Sequence, residues 1–386
     1  MNRVMNPTAD TALVPFRVDV PQADLDDLRD RLARTRWPLP VPGRDDRTDF
    51  SRGIPLPYLR ELAEYWRDGF DWRAQEAALN AHEQVTTVVD GQTFHVVHAR
   101  SANPDATPLL LCHGWPGSFV EYQRLLPLLT DAFHVVVPSL PGFGFSTPLS
   151  GTGWEVARTT EAYAEIMTRL GYERFAVHGT DIGAGTTGRL AALYPERVIG
   201  THVGSDGRSL GMVGAAYPMP DGLTDDEIAQ IDAVRAADAA EHGYFEMQNH
   251  RPDTIGAALT DSPVGQLAWM AEKFQTWTNP ASRTPDEAVD RDQLLTNVAL
   301  YWFTRSGASS AQFYYEASHS GLDWLSASEV PSAWSVFDTH PLMAKVFNGW
   351  GAIDRWVEHA EGGHFPAMEE PRLLADDLHA FFDGRS

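Results

Sequence analysis

Short, continuously apolar runs that alternate with helix-like stretches are the feature that most restricts how this chain folds. Four such runs span residues 109–111, 135–137, 175–177 and 198–203. Runs without polar alternation are typical of parallel strands that are buried on both faces. Hydrophobic residues make up 43% of the chain, which is enough for a large core. The pattern predicts an α/β fold in which helices cover both sides of a mostly parallel, doubly wound sheet.

The segments around this sheet pattern indicate further divisions. The first 84 residues contain two amphipathic helical patterns, and residues 85–97 read as a β-hairpin with an Asp90-Gly91 turn. After residue 205 the strand pattern gives way to Ala-rich helices with Trp and Phe, and it returns only near the C-terminus. A helical block inserted into a sheet predicts a lid. We expect four segments: an N-terminal helical extension (1–84), the first part of the core (85–205), the helical lid (206–329) and the second part of the core (330–386).

The segment from Val177 to Gly183 is the densest local signal, and it lies between an apolar strand and a helical stretch. Gly179 and Gly183 bracket Asp181, as small residues do in the tight strand-to-helix turn that exposes a catalytic nucleophile. A carboxylate at this place can attack an electrophilic sp³ carbon and form an alkyl ester. The alternative is an ordinary Asp in a loop or at a helix cap.

A dinucleotide-binding pattern overlaps this turn, with glycines at 183, 185 and 188 and Asp206 at the end of the next strand. In dinucleotide-binding folds the first glycine ends the strand, whereas Gly183 lies five residues beyond His178. These glycines are therefore expected inside a helix. A nicotinamide-dependent dehydrogenase is the weaker alternative, and we expect no cofactor.

Two other loops supply the remaining parts of a hydrolytic site. The segment from His113 to Gly117 directly follows a strand, and the N–H groups of Trp115 and Ile182 are expected to converge on a developing oxyanion. Two glycines precede His364, just before the last helical stretch, where a catalytic base is expected. In the chain order nucleophile, acid, base, Asp338 follows an apolar strand and is the expected acid.

Taken together, these motifs resemble the epoxide hydrolase family of the microsomal type, which has the α/β-hydrolase fold. The resemblance includes the helical extension and the lid stretch 294–302, and it runs from about residue 16 to residue 382. It implies an enzyme that hydrolyses an epoxide to a vicinal diol without a cofactor. Asp181 would open the ring as an aspartyl alkyl ester, Tyr244 and Tyr314 would donate to the epoxide oxygen, and His364 would activate water.

Three departures from the family pattern matter. Position 178 is His and position 180 is Thr, where relatives often have other residues. Ile182 replaces the tryptophan often found beside the nucleophile, which counts against a haloalkane-dehalogenase-like enzyme that holds a halide there. The family acid often falls one residue earlier, at Phe337 here, so Asp206 stays open as an alternative to Asp338.

Aromatic residues of the predicted lid favour a hydrophobic substrate, although such residues also simply pack helices. The expected substrate-binding residues are Trp115, Trp269, Phe274 and Trp302, and Trp277 and Phe303 belong to the same aromatic group. A ligand-binding protein with the same fold and no catalysis is a further alternative. The intact set of Asp181, His364 and two tyrosines argues against it.

Charge and cysteine content narrow the classes of partner. The chain carries 53 Asp and Glu against 30 Lys and Arg, a formal net charge of −23, which repels nucleic acids and anionic membranes. The single cysteine, Cys112, rules out an intrachain disulfide framework and a multi-cysteine metal site. Because no leader or long apolar segment is evident, we expect a cytoplasmic protein. The sequence leaves room for a homodimer.

Overall fold

Nine strands form one sheet in the computed structural model, which describes residues 12–322 and 327–385. The predicted extension, lid and C-terminal segment also contain residues 1–11, 323–326 and 386, which lie outside the described residues. The strands are β1 (Val14–Phe16), β2 (Glu83–Val89), β3 (Gln92–Ala99), β4 (Thr107–Cys112), β5 (Phe133–Pro138), β6 (Phe175–Gly179), β7 (Val198–Asp206), β8 (Ser332–Phe337) and β9 (Arg355–Glu358).

The strand order is β1-β2-β3-β5-β4-β6-β7-β8-β9. The pairs from β1 to β5 are antiparallel, and every pair from β5 through β4 to β9 is parallel. The four apolar runs form the central strands β4, β5, β6 and β7, as predicted. The predicted hairpin is β2 and β3, and both turn residues have a positive φ, 50° at Asp90 and 76° at Gly91. That conformation suits a two-residue hairpin turn.

Helices cover the sheet and fill the connections between its strands. They are α1 (Gln22–Ala33), α2 (Leu56–Asp68), α3 (Trp72–Leu79), α4 (Leu126–Leu129), α5 (Val156–Arg169), α6 (Ile182–Leu193), α7 (Asp225–Glu241), α8 (Gly243–His250), α9 (Pro252–Asp261), α10 (Pro263–Trp277), α11 (Pro285–Ala288), α12 (Arg291–Thr304), α13 (Ser306–His319), α14 (Met343–Asn348), α15 (Pro366–Glu369) and α16 (Pro371–Phe382), with short 3₁₀ turns at Phe119–Tyr122 and Gly207–Met212. Among the described helices, none is both long and apolar enough to cross a membrane.

The helical block α7 to α13 lies between β7 and β8 in the chain, where the lid is predicted. Its helix α12 is buried from Gln293 to Tyr301 and reaches the loop after β4. Asn297 donates to the carbonyl of Pro116 at 2.7 Å, and the Tyr301 hydroxyl donates to the carbonyl of Gly117 at 2.7 Å. These bonds fix the loop's backbone from the lid side. The exact division into four segments stays a prediction.

Candidate active site

Asp181 occupies a strained turn between β6 and α6, as predicted. Its φ of 53° and ψ of −126° lie outside the regions that a non-glycine residue normally adopts. Gly179 and Gly183 permit this turn, because a side chain at either position would collide with neighbouring backbone atoms. A Cβ on Gly179 would lie 2.2 Å from the carbonyl oxygen of Gly183, and one on Gly183 would lie 1.9 Å from that of Cys112. The backbone therefore holds the Asp181 side chain at the carboxyl end of the sheet.

The glycines of the dinucleotide-binding pattern have another explanation. All three, at positions 183, 185 and 188, lie inside α6 (Ile182–Leu193). Gly183 allows this helix to approach β4, and the carboxylate of Asp181 stands at the N-terminal end where a pyrophosphate would bind. The structure gives the dehydrogenase alternative no support.

Two backbone N–H groups converge on the Asp181 carboxylate, as the sequence predicts. The N–H of Trp115 donates to Oδ1 at 2.9 Å, and the neighbouring N–H of Ile182 lowers the pKa of the same carboxylate. Only a glycine fits at position 114, since a Cβ there would lie 2.2 Å from Oδ1. Burial raises the pKa of Asp181, but His364 and the two N–H groups outweigh it and hold the pKa below its usual value. Asp181 is therefore an ionised carboxylate.

His364 lies between two carboxylates in the loop before α15. Its Nε2 is 3.4 Å from Oδ2 of Asp181, and its Nδ1 is 2.9 Å from Oδ2 of Asp206. Its backbone N–H donates to the carbonyl of Trp277 at 2.8 Å, which ties this loop to the lid. Burial lowers the pKa of His364, but the hydrogen bonds and charges of Asp181 and Asp206 raise it to about 9. The imidazole is thus protonated while both neighbours are charged.

The predicted placement of Asp338 beside His364 is wrong, and the alternative Asp206 occupies that position. β7 pairs directly with β6, so its last residue, Asp206, ends next to the turn that carries Asp181. Asp338 follows Phe337, the register partner of Asp206, and is therefore one strand further from Asp181. Burial and the charge of Asp206 raise the pKa of Asp338. Nε of Arg208 is 3.3 Å from Oδ1 of Asp206, the carboxylate oxygen that does not contact His364.

Tyr244 of α8 and Tyr314 of α13 meet above the Asp181 carboxylate. Their rings are edge-on to each other, with centroids 6.2 Å apart. The indole of Trp115 stacks on Tyr244 at 4.9 Å and contacts Tyr314 edge-on at 5.9 Å. Burial and the Asp181 charge raise the pKa of both phenols, so both stay protonated. The structure thus brings the two predicted proton donors together.

The predicted substrate-binding aromatics divide into two groups. Trp115 belongs to the ring cluster above Asp181, and Trp277 joins it by contacts with Trp115, Tyr244 and His364 at 5.1–5.9 Å. The others have structural contacts instead. Phe274 is fully buried on Phe365, Trp269 donates to Gln248, and Trp302 faces Arg31 of α1. Trp302 thus packs against the N-terminal extension, and its role in substrate binding stays a prediction.

Sequence reasoning missed two carboxyl groups near the site. Burial raises the pKa of Glu121 to about 8 and that of Glu369 to about 7. Thr180 donates to Glu121 at 3.3 Å, while Glu369 accepts the backbone N–H groups of Asn279 and Phe365. Glu121 follows the loop of Trp115 directly, which is the one local signal that could have drawn attention to it. Within residues 12–322 and 327–385, no group of His, Cys, Asp and Glu side chains is arranged to hold a metal ion.

Comparisons with known proteins agree with this geometry. Residues 13–122 match the family described as epoxide hydrolase N terminus, and residues 107–202 match the alpha/beta hydrolase fold. A putative epoxide hydrolase of Stigmatella aurantiaca is 41% identical over 96% of this chain and 84% of its own length. Epoxide hydrolase 1 of Sus scrofa is 33% identical over 96% of this chain and 89% of its own length. The structure of Aspergillus niger epoxide hydrolase superposes with a TM-score of 0.82 at 29% identity, covering 98% of each chain. These matches confirm the predicted α/β-hydrolase fold.

Proposed function

This chain belongs to the epoxide hydrolase family, and we propose that it converts a hydrophobic epoxide into a vicinal diol through an ester on Asp181. One observation carries this mechanism. The Asp181 carboxylate accepts the N–H of Trp115 on Oδ1, faces His364 with Oδ2, and lies close to the phenols of Tyr244 and Tyr314. A cytoplasmic location and a homodimer stay predictions from the sequence.

The first step uses the carboxylate as nucleophile and the phenols as acids. Oδ2 of Asp181 attacks one epoxide carbon, and the carbon–oxygen bond of the ring breaks. A proton from the pair Tyr244 and Tyr314 goes to the epoxide oxygen, which leaves a phenolate and a hydroxyalkyl ester. Oδ1 becomes the ester carbonyl oxygen and keeps its bond to the N–H of Trp115. Ring opening therefore needs no base.

The second step hydrolyses the ester, and the first step prepares it. Esterification removes the charge of Asp181, which is one cause of the raised pKa of His364, so the imidazole loses its proton more easily. Nε2 of His364 lies 3.4 Å from Oδ2 of Asp181, on the side where the ester forms, so once it has lost its proton it can accept one from water. Asp206 holds Nδ1 and stabilises the imidazolium that forms.

Water then attacks the ester carbonyl carbon, and the negative charge develops on Oδ1 between the N–H groups of Trp115 and Ile182. The ester carbon–oxygen bond breaks, and the imidazolium protonates the departing diol oxygen. The proton that His364 lost before the water attack restores the phenol, and the second water proton passes from the Asp181 carboxyl group to His364, so every group regains its starting charge. The water oxygen stays in the Asp181 carboxylate, and the diol leaves with an oxygen that came from Asp181.

Mass spectrometry tests this sequence of steps. His364→Gln, incubated with styrene oxide, should accumulate one substrate mass on the peptide that contains Asp181, because it alkylates without activating water. In a single turnover of the unsubstituted enzyme in ¹⁸O-water, label should enter Asp181 and not the diol. Asp181→Asn is the matched control and should form no adduct.

Direct labelling of the diol, together with no adduct in His364→Gln, would mean that Asp181 acts only as a base. A chlorinated alkane of similar size serves as the control substrate. It should react poorly, since Ile182 offers no side-chain N–H to a departing halide.

A further inference from the structure

Lys273 is a buried ammonium group beside the proposed proton donors. It lies on α10 and is only 4% exposed, which is rare for a lysine. Its Nζ lies over two aromatic rings, 5.0 Å from the ring centroid of Tyr244 and 5.8 Å from that of Trp277. Lys273 and Trp277 are one helical turn apart, so both side chains point from α10 to the same cluster.

Two carboxylates offset the free-energy cost of burying the Lys273 charge. Nζ is 3.0 Å from Oε2 of Glu272 and 3.4 Å from Oε2 of Glu241. The two glutamate side chains are 21% and 40% exposed, whereas that of Lys273 is 5% exposed. The carboxylates therefore lie toward solvent and the ammonium lies toward the rings. If the lysine served only to pair with the glutamates, it would have no need to lie over Tyr244.

We propose that Lys273 is a positioning residue that stabilises Tyr244 as a phenolate while the epoxide ring opens. This inference rests on the proposed function, in which a phenol gives its proton to the epoxide oxygen. A cation on the face of an aromatic ring is held more strongly as the ring gains negative charge, and a site without water strengthens the attraction.

The need for such a cation follows from the surroundings of Tyr244. Burial, the charge of Asp181 and that of Asp238 all oppose ionisation of this phenol, and Arg208 favours it. Arg208 is already paired with Asp206 at 3.3 Å. Esterification removes the charge of Asp181 at the moment when Tyr244 acquires its own, and the ammonium of Lys273 is then the charge over its ring face.

A double-mutant cycle on the separate steps tests this role. The variants are Lys273→Met, Tyr244→Phe and the double variant, and the measurement is the single-turnover rate at which styrene oxide is esterified to Asp181. Lys273→Met should slow this step by about tenfold to thirtyfold, as expected for a desolvated cation–π contact. The same substitution should have no effect in the Tyr244→Phe background, and it should leave ester hydrolysis unchanged.

Glu241→Gln is the matched control, because it removes the more exposed partner of the ammonium. The proposal expects esterification in this variant to be as fast as in the unsubstituted enzyme or faster, since the cation is then less neutralised. A purely structural ion pair predicts slower esterification. Glu241→Gln decides the matter alone if Lys273→Met does not fold.

Four results overturn the role of Lys273: normal esterification in Lys273→Met, an equal loss in both Tyr244 backgrounds, an equal slowing of both chemical steps, or slower esterification in Glu241→Gln. An unsubstituted enzyme that forms no ester and no diol would instead remove the proposed function, and the role of Lys273 with it. Ester formation at the normal rate in Lys273→Met would leave the proposed function intact and remove only this inference.

Discussion

β6 and β7 position two histidine sites, one at their carboxyl ends and one a few residues earlier, and the histidine of the first site is charged whereas those of the second are neutral. At the ends, Asp181 and Asp206 flank His364, whose pKa is raised to about 9. Earlier in the strands, His178 and His202 are register partners, and burial lowers the pKa of His178 to about 3 and that of His202 far below its usual value. Burial alone makes a histidine neutral, and only carboxylate partners reverse that effect.

The hydrogen bonds of the second site fix its tautomers. Ser335 donates its hydroxyl to Asp377 at 2.6 Å, so it must accept from Nε2–H of His202 at 3.1 Å. Nδ1 of His202 is then an acceptor, and His178 donates to it at 2.9 Å. Nε2 of His178 is left as a buried acceptor with no partner in the described structure. These hydrogen bonds connect two neutral histidines and Ser335 on three adjacent strands and, through the Asp377 carboxylate, attach them to α16.

The largest effect is expected where a carboxylate of the first site is neutralised. Asp206→Asn should slow hydrolysis of the Asp181 ester by about 10⁴-fold, because an amide neither stabilises the imidazolium nor fixes its tautomer. Asp338→Asn is the matched control and should have a small effect. Pre-steady-state measurement of ester decay checks both. If Asp338→Asn slowed ester decay more than Asp206→Asn did, Asp338 would be the acid.

The next effect concerns stability at alkaline pH. The folded pKa of His364, about 9, lies above the usual 6.5, so its contribution is complete below pH 6.5 and is lost as pH rises through 9. The loss amounts to ~3 kcal/mol in the free energy of unfolding. Urea unfolding at about pH 7 and pH 9.5 should show this decline in the unsubstituted enzyme and not in His364→Gln. Parallel declines in the two proteins would refute the raised pKa.

The second site should respond to pH in the opposite direction. The folded pKa of His178, about 3, lies below the usual 6.5, so its contribution is complete above pH 6.5 and is lost as pH falls toward 3. His178→Gln keeps a donor for His202 and removes this titration. Between about pH 6.5 and pH 5 the variant should lose ~2 kcal/mol less stability than the unsubstituted enzyme. Identical acid profiles would show that His178 is not held neutral.

The smallest effect is expected from breaking the neutral chain at its middle. Ser335→Ala removes the acceptor of His202, and because His202 can change tautomer, the loss should be about 1 kcal/mol in the free energy of unfolding. Rates of esterification and ester hydrolysis should not change, since neither step involves this layer. A change in either rate would mean that the two histidine sites are coupled.

The local parts of the active site could be predicted from the sequence because short segments encode them. The turn at Asp181 needs small residues on both sides, and the loop of Trp115 must follow a strand. His364 was recognised from its glycines and its place before the last helix. Lys273 has no such local signal, and Glu121 has only its position after the loop of Trp115. A charged residue in a sequence is normally exposed, and only the lid and the neighbouring loops bury these two.

The sequence by itself determined the order of the strands along the chain, the turn at Asp181, the loop of Trp115 and the family. Each of these depends on periodicity or on the backbone freedom of a few adjacent residues. Only the tertiary structure decided between Asp206 and Asp338, because both follow apolar strands and just one of those strands lies beside β6. It also decided which aromatic rings surround Asp181 and which histidines carry charge. Those properties depend on distances between segments far apart in the chain and on the removal of water between them.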